Sequence, residues 1–276
     1  MPIDFEQFIH PLDRKALHTL QKIPLLDTVL RKYMKMVDEN LLRGVNMATM
    51  IRLGRNQLPR IHEMLLEICA YLDIPEPEFY LQMDPQPNAY TFGESKPFIV
   101  INSGLIDLLQ KDELKSVIAH ECGHILCHHV LYHTLAHYLM VAGGGLFGLQ
   151  DLAMAPLRWS LFYWVRRSEF SADRVSAYVM EDSDVVVTAM MRLAGGKSEI
   201  TNEVNIEEFL NQADEYQKNL DESKFSKLLQ AIAIKDATHP FTVLRAREVR
   251  SWFGATQTQL PPTTEYGKLF QEVKLK

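Results

Sequence analysis

No apolar run in this 276-residue sequence reaches the roughly 20 residues that a membrane-spanning helix needs. Tyr138–Leu149 is apolar or glycine throughout, but it stops at Gln150-Asp151 and contains Gly143-Gly144-Gly145, which weakens a helix. The start, Met1-Pro-Ile-Asp-Phe-Glu-Gln-Phe-Ile-His10, has neither the basic residues nor the apolar stretch of a secretory leader. The 3 cysteines, Cys69, Cys122 and Cys127, are too few and too oddly placed for a disulfide framework, which favours a reducing compartment. There is no basic block and no aromatic-interleaved basic stripe. Lys and Arg total 29 against 35 Asp and Glu, and the net charge of −6 is spread along the chain. Nucleic acid is therefore not an expected partner. The expectation is an intracellular, cytoplasmic protein, with 47% apolar residues to build a core. The segment expected to make any peripheral membrane contact is 138–165.

What is present is His120-Glu121-Cys122-Gly123-His124, led by Asp112–Ala119 without Gly or Pro. Residues four apart share one face of a helix, so both imidazoles point the same way. Two histidines so placed suit a zinc ion with nitrogen ligands at about 2.0–2.1 Å. Glu121 is rotated off the ligand axis, near enough to reach a water on the metal as general base without ligating. Gly123 allows close approach at the metal. Cys122 lies away from the ligand direction and reads as a small buried thiol.

Further on, Glu169 and Asp173 are again four apart on a helical stretch. A catalytic zinc takes three protein ligands and one open position, and two His with one Glu is an accepted set. Glu169 is the third-ligand candidate. Asp173 can hydrogen-bond the far nitrogen of a ligand histidine and fix its tautomer. His128, His129, His133 and His137 extend the zinc helix, as core histidines or as a second metal site.

Residues 12–72 look helical throughout, with breaks at Pro24 and Pro59. Glu78–Met83, Asn88–Phe92 and Pro97–Asn102, punctuated by prolines, read as strands of a small sheet. An exposed edge strand can bind an extended peptide by main-chain hydrogen bonds, and Asn88, Ala89 and Tyr90 are the candidates for it. Residues 138–165 read as a flexible apolar connection between the two halves of the zinc site. The acidic stretch 197–225 reads as a surface helical excursion.

H-E-C-G-H, E-F-S-A-D and Thr238-His239-Pro240 together resemble the gluzincin metallopeptidases of the HtpX and CAAX-prenyl-protease type. Ile99–Leu109, the Asp112-Glu-Leu that follows, and Asn88-Ala-Tyr-Thr-Phe-Gly93 are also similar to that group. The resemblance covers about 75–255. HtpX-type proteins carry long membrane spans around the zinc helix, and full-length ones are absent from this sequence. The first 70 residues match no motif of the group.

The resemblance implies one Zn2+ per chain on His120, His124 and Glu169, with Glu121 as base and Asp173 behind a ligand. It supports His239 as a donor to the oxyanion. Arg245 is a candidate for a supporting pair or a substrate contact. The expected fold is α+β, a zincin-like domain at 75–276, mostly helical, with a small sheet whose edge strand flanks the zinc helix. Residues 1–74 are expected to form an N-terminal helical extension. The expected function is that of a zinc endopeptidase cutting peptides or unfolded proteins by Glu-assisted attack of a zinc-bound water. The alternatives are a protease-derived binding or chaperone-like protein and another metal-dependent amidase. A deformylase-like amidase would need an upstream E-G-C element, which is not present.

Overall fold

The computed structural model describes residues 3–36, 39–93, 95–142, 151–221 and 242–256. Helix α1 (Pro11–Leu20) starts with proline at a position where no N–H is needed, and His10 Nδ1 accepts from the Leu12 N–H at 3.0 Å. It is followed by α2 (Leu26–Met36) and α3 (Glu39–Thr49). The expectation of helix throughout 12–72 is corrected here, because Ile51–Arg52 forms a short strand, β1. Two residues are too few for strand periodicity to register in a sequence. Helix α4 (Pro59–Leu72) comes next.

The strands β2 (Glu78–Gln82), β3 (Ala89–Phe92) and β4 (Phe98–Asn102) complete a four-stranded sheet in the order β1-β2-β4-β3. β2 and β4 run parallel, and the other pairs are antiparallel. β4 is buried along its whole length, as a central strand should be, and β3 is an edge. Phe79, Ile99 and Ile101 face a core shared with Leu65 and Ile68 of α4 and with Ile118. Tyr80, Phe98 and Val100 face the other way, towards Leu42 and Met50. Both β1 and α4, from the first 74 residues, thus lie in the sheet and in the core behind it.

After α5 (Ser103–Leu108), α6 (Lys111–Leu126) carries the two-histidine motif. The expectation that this helix continues through His129 and beyond is also corrected. The chain turns at His128, which adopts φ +58°, and α7 (Val130–Ala142) starts afresh. Neither Gly nor Pro marks that turn in the sequence. Residues 151–165 are helical rather than a flexible connection. They open α8 (Asp151–Met180), with Leu157, Leu161 and Trp164 buried against α1, α2 and α7. Residues 143–150 lie outside the described residues. A third cluster joins the end of α8 to α9 (Ser183–Gly195), α11 (Ile206–Asp221) and α12 (Thr242–Thr256), with α10 (Ser198–Thr201) between α9 and α11. The structure is α+β and mostly helical, as expected. Among the described residues no helix is long and apolar enough to cross a membrane.

Candidate metal centre

Helix α6 is started firmly. The Gln110 N–H donates to Glu113 Oε2 at 2.8 Å, and Asp112 and Glu113 place negative charge at the positive end of the helix dipole. Farther along, α6 crosses α8 with almost no space between. A Cβ on Gly123 would lie 3.0 Å from the Ala172 Cα and 3.0 Å from the Val175 Cβ. Only glycine permits that crossing, and the crossing brings Glu169 against the two histidines.

The result is a triangle of three donor side chains, in which the two Glu169 oxygens each face one imidazole. His120 Nε2 lies 3.2 Å from His124 Nε2 and 3.4 Å from Glu169 Oε2, while His124 Nε2 lies 3.4 Å from Glu169 Oε1. Ligands at about 2.0–2.1 Å from a tetrahedral zinc stand about 3.3–3.4 Å apart, so each of these separations suits two donors of one such ion. The three side chains are buried, with Glu169 at 0% exposure. The fit to a zinc ion is therefore one of spacing as well as of donor type.

Asp173 stands behind this triangle, its Oδ1 2.9 Å from His120 Nδ1. Arg245 of α12 grips Asp173 from the other side, donating from Nε to Oδ2 at 2.8 Å and from Nη2 to Oδ1 at 2.6 Å. Its Nη1 also lies 3.1 Å from Glu169 Oε2. Burial opposes charge on His120, yet the hydrogen bonds and charges of Asp173 and Glu169 outweigh it, and the imidazole is pushed up to about 10. Burial likewise opposes the Asp173 carboxylate, but Arg245 and then His120 hold it below the usual range. His124 goes down, chiefly through burial.

Glu121 accepts the Thr91 hydroxyl proton on Oε2 at 2.6 Å. Thr91 belongs to β3, so the edge strand touches the candidate base directly. Sequence reasoning missed Thr91, because a strand–helix contact across 30 residues leaves no local signal. The Asn102 N–H donates to the Asn88 carbonyl at 2.9 Å. Antiparallel pairing alternates, so Tyr90 and Phe92 also pair inward, while the main-chain groups of Ala89 and Thr91 face the free edge.

Two cavities meet at this edge. One, of about 400 Å³, is bounded by Asn88, Ala89, His120, Glu121, Met190 and Leu193. The other, of about 590 Å³, is bounded by Asn88, Tyr90, Thr91, Glu121, His124 and Phe162. Asn88 and Glu121 border both. Of the residues named from the sequence, His239 lies outside the described residues, whereas Asn88, Ala89, Tyr90, His120, Glu121, His124, Glu169, Asp173 and Arg245 line one or both cavities.

Comparison with known proteins follows the same lines. The profile described as peptidase family M48 matches residues 55–253. The plastoglobule-localized metallopeptidase 48, chloroplastic, of Arabidopsis thaliana is 34% identical over 252 residues, covering 91% of this chain and 73% of that protein. Protease HtpX homolog 2 of Methanosarcina acetivorans is 27% identical over 176 residues, 54% of this chain and 60% of its own length. The chain thus spans less than two thirds of the archaeal relative. Among solved structures, S. mikatae Ste24p aligns with 85% of this chain and 64% of its own, at 15% identity and a TM-score of 0.44.

Proposed function

The chain belongs to peptidase family M48, a family of metallopeptidases, and on that premise we propose that it is a zinc endopeptidase whose metal is held by His120, His124 and Glu169. The observation that carries this reading is the donor triangle, whose separations of 3.2, 3.4 and 3.4 Å suit donors gathered around one zinc ion. A zinc ion there would supply Lewis-acid chemistry, polarising the scissile carbonyl and lowering the pKa of a water towards 7.

The remaining work falls to side chains and main chain. Glu121 takes a proton from the attacking water and returns it to the leaving amine, a contribution of about 10²–10⁴ in rate. Thr91 holds Glu121 in place. The outward N–H and C=O groups of Ala89 and Thr91 pair with an extended peptide, as edge strands do. Asn88 sits where the two cavities join, and Tyr90, paired inward to β4, keeps the edge in register. A cavity on each side of Glu121 accommodates side chains on both sides of the cut bond, which favours internal cleavage of peptides or unfolded proteins.

Arg245 acts through Asp173 and Glu169 as the supporting pair rather than as a substrate contact. The role of His239 as a donor to the oxyanion rests on the family resemblance. Exposed Trp159 and Tyr163 on α8 suit peripheral contact with a lipid surface, since such rings favour the interface of bilayer and water.

Cleavage of end-blocked, unstructured peptides by chelator-stripped and zinc-restored protein tests the reading. Internal cuts that appear only with zinc are expected. Release of terminal residues alone, or cleavage indifferent to zinc, would contradict it.

A further inference from the structure

The two histidines of the triangle are braced in different ways. His120 leans on Asp173, as the sequence suggests. His124 turns its Nδ1 to within 3.0 Å of His129 Nδ1. The turn at His128 folds His129 back onto the end of α6, where its N–H donates to the His124 carbonyl at 2.9 Å. His129 is 2% exposed, and its Nε2 lies 3.1 Å from Asp13 Oδ2. Asp13, 1% exposed, comes from α1. It also accepts from the Trp164 indole N–H at 2.8 Å and from the Ser171 hydroxyl at 2.6 Å.

Donor counting fixes the protons. With a metal on His124 Nε2, the ring proton of His124 sits on Nδ1, so a neutral His129 carries its own on Nε2, the nitrogen 3.1 Å from Asp13 Oδ2. It then presents the lone pair of Nδ1 to His124. His124 donates from Nδ1, and its bare Nε2 is its atom in the triangle. Burial works against the Asp13 charge, but the hydrogen bonding and charge of His129, then Ser171 and Trp164, keep it below the ordinary range.

We infer that His129 and Asp13 are positioning residues of the metal centre, which fix the ring and tautomer of His124 through a one-way hydrogen-bond relay anchored in α1. Helix α1, which carries no recognised motif, is on this account part of the metal site. Hydrogen-bonded partners behind a ligand raise its basicity and hold its orientation. The cluster His124, His129 and His133 is compact enough for a second ion. The relay takes His129 Nδ1 out of that cluster, however, since a nitrogen that accepts from His124 has no lone pair left for an ion. His133 Nε2 lies 2.7 Å from Ser168 Oγ, whose own proton goes to the Val165 carbonyl at 2.8 Å, so His133 is a donor there. His129 turns Nδ1 to His124 and Nε2 to Asp13.

The inference rests on the ligand set proposed above, and its test keeps the two apart. The full chain, stripped of metal, is titrated with zinc against a chelating indicator, and with cobalt(II) to read the visible bands of the bound ion. Wild type should take one zinc. Asp13→Asn and His129→Leu should raise the zinc dissociation constant about 10–100-fold and shift the cobalt bands. His129→Gln, whose side-chain oxygen can accept from His124 Nδ1–H, should recover most of the affinity. Wild-type affinity and an unchanged cobalt spectrum in Asp13→Asn and His129→Leu would overturn the relay, even if their metal-free melting points fall. Two zinc ions in wild type would overturn it as well, since His129 would then be a ligand. Should Asp13→Asn not fold, the Leu and Gln variants of His129 decide alone, and equal affinity in both overturns it. Glu169→Ala that binds zinc like wild type would instead fault the ligand set, whatever the relay variants show.

Discussion

Thr91 on β3 donates its hydroxyl to Glu121 on α6 at 2.6 Å, with both side chains buried. The strand that lies along the cleft therefore also sets the rotamer of the candidate base. Thr91→Val keeps the shape and removes the donor. Turnover should fall about 10-fold, part of the 10²–10⁴ that positioned proton transfer supplies. Zinc content should not change, because Thr91 touches no ligand. Steady-state kinetics with metal analysis checks this, and wild-type turnover in Thr91→Val would show that Glu121 needs no such support.

The alternation of pairing along β3 separates two proline variants. Ala89→Pro removes an N–H that faces the free edge and restricts Asn88. It should raise the Michaelis constant for a long peptide about 10-fold or more, with the fold and zinc retained. Tyr90→Pro removes an N–H used within the sheet, so it should lower the melting temperature instead. Equal behaviour of the two variants would mean that the edge does not bind substrate through its main chain.

Glu169 and Asp173 are four residues apart but hold different positions. Glu169→Ala deletes a corner of the triangle and should abolish stoichiometric zinc. Asp173→Asn should weaken zinc about 10–100-fold, as loss of a partner behind a ligand does. It should also destabilise the fold, because buried Arg245 loses one of its two carboxylate partners and keeps only Glu169. Chelator competition and denaturant titration read the two effects separately.

The site also predicts a proton count. Without metal, His120 is held protonated by Asp173 and Glu169, at about 10. A raised value stabilises the metal-free fold below the ordinary histidine value of about 6.5, and that contribution is lost as pH rises through about 10. Metal needs the bare nitrogen, so binding near pH 7 should release about one proton. Zinc affinity should fall as pH falls. Calorimetry in buffers of different ionisation enthalpy measures the release, and a count near zero would contradict the assignment of His120.

Much of this candidate centre is legible in the sequence, because its proposed ligands come from two helices and each contributes a local spacing. His120 and His124 share a face by periodicity, and Glu169 and Asp173 do the same. What is not legible is contact between distant segments. Thr91 meets Glu121 only once β3 is laid beside α6. Asp13 meets His129 only once α1 packs on α8. The end of α6 is hidden for another reason. His128 takes a left-handed conformation that glycine usually signals, so an unbroken row of histidines reads as one long helix. The strand β1 is too short for alternation to show. Gly123 has a further role that only packing shows, since it sits where two helices cross closely.

The central claim is that Glu121 moves protons while His120, His124 and Glu169 hold the metal. Glu121→Gln keeps size and a hydrogen-bond acceptor for Thr91 but removes the basic carboxylate. The most direct measurement is zinc stoichiometry and peptide turnover on one preparation of that variant. The account predicts one zinc per chain, an unchanged fold and turnover reduced at least 100-fold. Turnover within a few-fold of wild type, with zinc in place, would contradict it.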